Sequence, residues 1–423
     1  MSLFVFGFER RRNFGGGVCD RLMPITGGAI MFRRLGLTLG AIALLSFVSI
    51  GCGSKPVVGV FLPTTGDAGT YGESIESGVR LAISDARDRE GLPEGFEVLW
   101  VDTQSDSERA VSELRRLASE RDLKMIIGGA TSTEAQAMIE VLDELGVVCL
   151  SPTASTPGIS QRSKLFFRIF PSDELEGHTA ARFMFDRLGQ TRVVVYSDSG
   201  DYAAGIEPEF ENQFAETLGG EIVARVDISD GDWRTASDAV VPGSGVGAVY
   251  IIGYAPQILE VITHLRENGY EGKFVTTSAF YSDQVLLQAG EAAEGILFPL
   301  PPFDRTSEKE PVLGFVNRYM DALGKAPDVF AAHGYDAMWL TIQVMTIADP
   351  PDTNQIRKAF HFGMNELMGV TGPILFDDHG DVKHYPKMFI VKDQQVVSYQ
   401  RYIKAERERI LREVQDLLVT GGN

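Results

Sequence analysis

The sequence predicts an α/β protein in which two doubly wound lobes of parallel sheet face each other across a cleft. Short runs rich in Val, Ile and Phe alternate with helical patterns, which is the βαβ rhythm of a sheet covered on both faces. The same rhythm restarts after Pro171. The chain has 423 residues, which is more than one hydrophobic core usually holds and suits two lobes.

The first series of elements begins at residue 57 and alternates strands with helices. In order they are VVGVFLP, the helix GESIESGVRLAISDAR, FEVLWVD, the helix SERAVSELRRLASE, KMIIGG, the helix STEAQAMIEVLDELG, and VVCLSP. Cys149 lies in the last strand of this series, where a lone cysteine is usually a small buried hydrophobe.

The second series follows Pro171 and has the same character. Its elements are the helix DELEGHTAARFMFDRLG, RVVVYSD, the helix around GIEPEFENQFAETLGG, EIVARVDI, GAVYIIGY, the helix APQILEVITHLRENG, and KFVTTSAF. Near the C-terminus, KAERERILREVQDLL predicts a charged amphipathic helix whose role the sequence leaves open.

Polar turns follow two successive strands of the first series. ATST, with Ser132 and Thr133, follows MIIGG and opens a helix, and SPTASTPG follows VVCL. In open parallel sheets ligands bind beyond the carboxyl ends of the strands. Free helix N–H groups and hydroxyls there suit a carboxylate, although each turn taken alone could be plain N-capping. Two such turns on neighbouring strands favour a binding site.

Cys52 follows a short apolar run, residues 35–50, that is preceded by Arg33 and Arg34. This is the pattern of a secretory signal peptide, too short for a comfortable membrane span. The segment 49–52, Ser-Ile-Gly-Cys, resembles a bacterial lipobox and predicts lipidation of Cys52; the alternative is an unused cysteine behind a plain signal. Residues 1–30 do not fit a signal, so we expect translation to start at Met31 and treat residues 1–51 as extension plus signal peptide.

Composition excludes several classes of function. The chain carries 39 basic and 58 acidic residues, a net charge of −19, which argues against a nucleic-acid partner. Three cysteines without a CxxC pair disfavour a zinc site or a disulfide framework. We find no GxSxG, P-loop, HExxH or dinucleotide fingerprint, so we predict no enzyme activity, no cofactor and no metal. The hairpin pattern FDDHGDVKHYP fits turn chemistry better than a metal or calcium loop.

Seven segments, in order, resemble the type I periplasmic binding proteins, specifically the branched-chain amino-acid (Leu/Ile/Val) substrate-binding subfamily of ABC importers. The resemblance covers residues 57–399 and is carried by VGVFLPTTGDAGTYGESIESGVRLAI, IIGGATSTEAQA, LSPTASTPGI, FRIFPSDELEGHTAA, YSDSGDYAAGI, IIGYAP and MGVTGPILFDDHGDVKHYP.

The resemblance implies a hinge that the chain crosses three times and that closes on a ligand. We expect the crossovers near residues 171, 299–302 and 369–372. Lobe 1 would then comprise residues 57–171 and 300–369, and lobe 2 residues 172–299 and 370–403, with residues 404–423 as a helical tail.

The resemblance also implies site residues. Ser132 matches a serine that binds the ligand carboxylate, helped by Ser155 and a backbone contact at Thr153. Further cleft positions, one from lobe 1 and two from lobe 2, are Tyr71, Tyr202 and Tyr254. Ala203 stands where relatives have a glycine.

The segment TTSAFYS departs from the family pattern. Members that bind amino acids usually place an acid there against the ligand ammonium, but this chain has Ser278, followed by Phe280. A buried ammonium without a carboxylate is costly. Either Asp201 or another acid compensates, or the ligand lacks an α-ammonium. Phe280 and Tyr254 have a plainer alternative, which is packing between the lobes.

We therefore expect an exported, lipid-anchored solute-binding protein in the periplasm or on the outer cell surface. It would capture an amino acid or related small carboxylate or amide and deliver it to ABC permease subunits. The alternative is the same fold used as a sensor or as an activator of an envelope protein.

Overall fold

A computed structural model describes residues 57–420, apart from residues 90, 95, 241–244, 282, 349–350, 364–366 and 384. The chain divides into two units, Met1–Gly53 and Ser54–Asn423, and the described residues all belong to the second. The signal peptide and the lipidated Cys52 that the sequence predicts lie outside the described residues.

Of the first ten described strands, the sequence predicts eight, all but the fifth and the tenth. Fourteen strands are described in total. They are β1 Val57–Leu62, β2 Glu97–Asp102, β3 Leu123–Ile127, β4 Val148–Ser151, β5 Phe166–Arg168, β6 Arg192–Ser197, β7 Glu221–Asp227, β8 Ala248–Ile252, β9 Lys273–Thr276, β10 Leu297–Leu300, β11 Leu367–Gly369, β12 Gly372–Ile374, β13 Lys387–Lys392 and β14 Gln395–Ser398.

Twelve α-helices accompany these strands within the described residues. They are α1 Gly69–Asp88, α2 Ser107–Glu120, α3 Ser132–Leu145, α4 Asp173–Arg182, α5 Asp201–Glu211, α6 Trp233–Val240, α7 Ala255–Glu267, α8 Asp283–Ala289, α9 Val312–Leu323, α10 Val329–Ile347, α11 Thr353–Lys358 and α12 Tyr399–Thr420. The C-terminal helix that the charge pattern predicts is therefore confirmed. None of the described helices combines the length and apolar composition needed to cross a membrane.

The strands form two main sheets, and the predicted two-sheet α/β fold is confirmed. The first sheet has the order β2-β1-β3-β4-β5 and is parallel throughout. The second has the order β14-β13-β10-β9-β8-β6-β7. Its five strands from β10 to β7 are parallel, whereas β13 and β14 add an antiparallel edge. The strands β11 and β12 form a separate hairpin.

Helices cover both faces of each sheet, as the hydrophobic runs require. On the first sheet, α1 and α10 enter one core while α2 and α3 enter the core on the opposite face. Cys149 on β4 is fully buried in the latter core, so its expected role as a small hydrophobe is confirmed. On the second sheet, successive residues of β6 alternate between two cores, with Val194 in one and Val195 in the other.

The helices α1 and α10 touch backbone to backbone. A Cβ atom on Gly78 would lie 1.9 Å from the Ala331 carbonyl oxygen, and one on Gly334 would lie 2.2 Å from the Ile75 carbonyl oxygen. Each helix thus contributes a glycine at the point of closest approach. This contact locks the two helices together on one face of the first sheet.

The segment between β11 and β12, near the expected third crossover, is held by one buried carboxylate. Asp336 of α10 accepts hydrogen bonds from Val370 N at 2.9 Å, from Thr371 N at 2.8 Å and from Thr371 Oγ1 at 2.6 Å. Val370 belongs to the core beside the first sheet. The lobe boundaries drawn from the resemblance stay predictions.

We expect Gly78→Ala to destabilise the protein because the added methyl meets a backbone carbonyl that cannot move aside. The loss in unfolding free energy should reach the upper end of the roughly 1–3 kcal/mol typical of overpacking. The control is Gly69→Ala in the same helix, where the added methyl meets only the Thr64 carbonyl group, at 3.5 Å from its oxygen and 3.8 Å from its carbon. Chemical denaturation of both variants checks this, and equal midpoints would contradict the close contact.

Candidate functional site

The turn between β3 and α3 presents the start of a helix at the carboxyl end of the first sheet. Gly129 makes the turn with a φ of +64°, and a Cβ there would lie 2.8 Å from the Cα of Ala135. Thr131 then caps the helix by accepting a hydrogen bond from Glu134 N at 3.2 Å. Ser132 follows as the first residue of α3. A helix N-terminus with a hydroxyl beside it favours an anion.

The turn after β4 lies against this helix start. Thr153 Oγ1 donates to the Ala130 carbonyl oxygen at 2.6 Å. Ser132 Oγ accepts from Ser155 N at 3.4 Å and from Thr156 N at 3.3 Å. The structure thus brings together Ser132, Thr153 and Ser155, which the sequence assigns to one carboxylate site. Thr133, also in the predicted set, is exposed on the first turn of α3.

A buried guanidinium holds this second turn in place. Arg168 at the end of β5 is completely buried, and its Nη1 donates to the Thr156 carbonyl oxygen at 2.8 Å. Its Nε and Nη2 donate to the two carboxylate oxygens of Asp381 at 2.5 and 3.1 Å. Asp381 ends a tight turn in which Asp377 Oδ1 accepts from His379 N and Asp381 N. The turn chemistry expected of this hairpin is therefore present.

A second group of polar side chains lies at the carboxyl end of β9. Ser278 begins the short turn after this strand, and its N–H and hydroxyl donate to the two carboxylate oxygens of Glu176 at 2.7 and 2.6 Å. Tyr202, in the first turn of α5, donates its hydroxyl to Glu176 at 3.4 Å. Glu176 itself belongs to α4 and is only 4% exposed. A carboxylate therefore does lie beside Ser278, but it comes from α4 and not from the turn after β9.

Asp173, one helical turn before Glu176, connects the two groups. Its backbone N–H donates to the Ser155 carbonyl oxygen at 2.9 Å, and its carboxyl group is hydrogen-bonded to the Ser155 side chain. Burial raises the pKa of Asp173, although the charge of Arg168 opposes this. Burial and the nearby Asp173 charge raise the pKa of Glu176 to about 8. Burial thus opposes the ionisation of both acids, most strongly that of Glu176.

The predicted aromatic residues are distributed around these groups. Tyr202 stacks on Tyr254, with ring centroids 5.2 Å apart, and Tyr254 is 53% exposed. Tyr71 is 47% exposed and packs edge-on against Phe330 at 4.8 Å. Phe280 is fully buried against Phe298 in a core of the second sheet. Contact of any of them with a ligand stays a prediction.

Glu176 was missed by the sequence reasoning, which considered Asp201 or an unspecified acid as the partner of an ammonium. The Asp201 side chain lies outside the described part of the chain. The signal that could have found Glu176 is the pair Asp173 and Glu176 in DELEG. Acids three positions apart lie on one face of a helix. This helix begins at Asp173, directly after the crossover expected near residue 171.

The described residues offer one group of possible metal ligands. Side-chain atoms of Glu174, His178 and Glu209 lie within 4.8 Å of one another on the facing helices α4 and α5. His178 pairs with Glu209 at 3.2 Å. All three are partly or fully exposed, and His178 and Glu209 form a histidine–carboxylate contact at the surface.

Chemically, the site has two unlike sides. Ser132 and the turn beyond β4 present N–H and O–H donors at a helix start, whereas Asp173 and Glu176 present acceptors or acidic protons. Ser155 touches both sides. Such an arrangement suits binding of a small polar molecule, and it lacks an activated nucleophile among the described residues.

Comparison with known proteins finds relatives that match most of this chain. A Leu-, Ile-, Val-, Thr- and Ala-binding protein of Pseudomonas aeruginosa is 24% identical over 358 residues, covering 84% of this chain and 94% of that protein. A leucine binding protein of Thermotoga maritima superposes with a TM-score of 0.69 at 27% identity, covering 81% of this chain and 97% of that one.

A solute binding protein of R. palustris, solved with benzoate, shares the fold at a TM-score of 0.66 and 19% identity, covering 81% of this chain and 95% of that one. The sequence profile of the family described as periplasmic binding protein matches residues 56–394. Because this match spans most of the chain, the protein belongs to the periplasmic binding protein family.

Proposed function

We propose that this protein is the extracytoplasmic solute-binding component of an ABC importer. It captures an amino acid, or a related small carboxylate or amide, between its two sheets and closes on the ligand by a hinge motion. The captured ligand is then passed to permease subunits in the membrane. The names of the P. aeruginosa and T. maritima relatives support amino acids as the first class to test.

The observation that carries this proposal is the convergence of two polar turns at one sheet edge. Ser132 Oγ accepts hydrogen bonds from Ser155 N at 3.4 Å and from Thr156 N at 3.3 Å, and both distances are long for a hydrogen bond. These donors are only weakly engaged and can turn to a ligand carboxylate. A helix N-terminus adds favourable electrostatics for the same negative group.

The proposed closure is supported by contacts between helices on the second sheet and the turn that follows β4 of the first sheet. Helix α5 packs on the second sheet. A Cβ atom on Gly205 of this helix would lie 3.4 Å from Pro157 Cδ, in the turn that follows β4 of the first sheet. Asp173 N also bonds to the Ser155 carbonyl oxygen. A ligand bound between these elements would add contacts to both, which stabilises the closed form.

We expect ligand to raise the unfolding temperature of the protein because a molecule that binds only the folded state stabilises it. At a hundredfold excess over the dissociation constant the gain is about 2.7 kcal/mol. Thermal unfolding against a panel of amino acids, amides, aromatic acids and short carboxylates checks this. If no probe shifts the transition, the solute-binding function is wrong and a sensor or activator role takes its place.

Ser132→Ala should weaken the binding of every carboxylate ligand that the panel identifies. Loss of one hydrogen bond to a charged group costs about 1.5–3 kcal/mol, or roughly 10- to 150-fold in affinity. Ser119→Ala, an exposed serine on α2, is the matched control. Calorimetric titration measures both, and an unchanged affinity for Ser132→Ala would remove this residue from the site.

The proposed location is the outer side of a membrane, with Cys52 as the lipid attachment point. We expect Cys52→Ser to move the protein from the membrane fraction to the soluble fraction on export. Mass spectrometry of the wild-type N-terminus should show a diacylglyceryl cysteine at this position. A mature chain that begins elsewhere, without lipid, would contradict the anchor and leave the binding function untouched.

A further inference from the structure

The outer part of helix α12 is exposed on every side. The first turn of the helix is held to the body, because Tyr399 packs edge-on against Phe183 at 4.7 Å and Arg401 Nη1 donates to the Thr306 carbonyl oxygen at 3.0 Å. Beyond this turn, all side chains from residue 407 to residue 417 are exposed. Residues 403–417, the outer segment, form a helix about 22 Å long.

A helix as short as the outer segment is marginal in water, because most helices in proteins gain their stability by packing an apolar face. Its own ion pairs add little. Arg409 contacts Glu406 at 2.7 Å and Glu413 at 2.6 Å, but exposed pairs of this kind stabilise a helix only slightly. A partner surface that covers the outer segment would therefore stabilise it.

An apolar stripe runs along one side of the outer segment. It consists of Ile403, Ile410, Leu411, Val414 and Leu417, which are between 44% and 70% exposed. The spacings of seven, four and three residues return to the same side of a helix. Five apolar side chains on one side form a continuous seam, unlike the single exposed apolar residues that are common on protein surfaces.

Charge is distributed unevenly along the same helix. Residues 401–412 carry five basic and two acidic side chains, whereas residues 413–417 carry two acidic and no basic side chains. If a second copy of the helix lay antiparallel to the first, the acidic end of each would lie beside the basic stretch of the other. The helix is thus complementary in charge to its own reversed copy.

The position of Arg407 favours the same direction. Arg407 lies four residues after Ile403 and three before Ile410, at the edge of the apolar stripe. A parallel pair would bring the two copies of Arg407 together, and such like charges repel. An antiparallel pair centred on Ile410 separates them by about 9 Å along the axis and places each at the level of Glu413 of the second copy.

We propose that the outer segment pairs antiparallel with the outer segment of a second copy of this chain. Ile410 lies at the centre of the interface, and Ile403 of each copy lies near Leu417 of the other. The same surface meets itself, as a two-fold dimer requires. The two bodies lie at opposite ends of the helix pair. This dimer does not depend on which solute the protein binds.

A lipid surface fits the outer segment less well. Helices that lie on membranes are usually rich in Lys and Arg on the polar face and have Trp, Phe or Leu on the other. Here the acids Glu406, Glu408, Glu413 and Asp416 are interspersed with the basic residues, and the apolar stripe contains no aromatic side chain. The net charge of −19 also opposes approach of the protein to an anionic membrane.

Sedimentation equilibrium of the Cys52→Ser protein, which has no thiol to lipidate at that position, measures the association. We expect a reversible monomer–dimer equilibrium that weakens as salt rises, because the charges are exposed. Ile410→Asp should weaken the dimer by roughly 100-fold or more, since it places a charge at the centre of the interface. Ala405→Asp is the matched control and should leave the dimer unchanged, because this exposed alanine lies on the opposite side of the helix.

Chemical cross-linking tests the direction of pairing without disrupting the interface. In protein that carries Cys19→Ser and Cys52→Ser, the remaining Cys149 is buried. A short bismaleimide should link a mixture of the Ile403→Cys and Leu417→Cys proteins but neither protein alone. Like positions lie about 20 Å apart in the antiparallel pair, whereas in a parallel pair they would be adjacent.

Several results would overturn the inference. They are a protein that stays monomeric at about 100 µM, equal association of Ile410→Asp and Ala405→Asp, or cross-links within each cysteine variant alone. Flotation of monomeric protein with phosphatidylglycerol vesicles, lost in Ile410→Asp, would also overturn it and assign the outer segment to a lipid surface. None of these results bears on solute binding, which the thermal unfolding panel tests separately.

Discussion

The guanidinium of Arg168 fixes the turn beyond β4, which is one of the two polar turns of the candidate site. It leaves the end of β5, holds the turn beyond β4 through the Thr156 carbonyl, and binds the hairpin that ends at Asp381. Such a charge is tolerated in a buried position only because its donors meet acceptors in good geometry. Without Arg168, the backbone that carries the N–H groups of Ser155 and Thr156 would not be held in position. The position of the turn beyond β4 therefore depends on this residue.

The two sides of the site also place opposite demands on stability. Donors at a helix start cost little folding free energy, since neighbouring backbone groups or solvent can satisfy them. Two buried acids cost more, because each opposes the other's ionisation. The extensive cores on both faces of each sheet offset this cost.

Much of the fold was predictable from the sequence, because buried parallel strands and amphipathic helices leave strong periodic patterns. The polar turn at Ser132 was predictable for the same reason, since the end of a strand marks the edge where ligands bind. The contact of Glu176 with Ser278 was not predictable, because the two residues lie 102 positions apart in the sequence. Only the tertiary fold brings α4 against the turn after β9. The antiparallel edge of β13 and β14 likewise depends on long-range pairing that local patterns do not encode.

The buried thiol of Cys149 has a practical consequence. Burial raises the pKa of this thiol, and within the described residues it is the free cysteine. A thiol reagent can reach it only when the core beneath β4 opens, so the rate of modification reports exposure of that core. The protein thus carries an internal chemical probe for the opening of the core on one face of its first sheet.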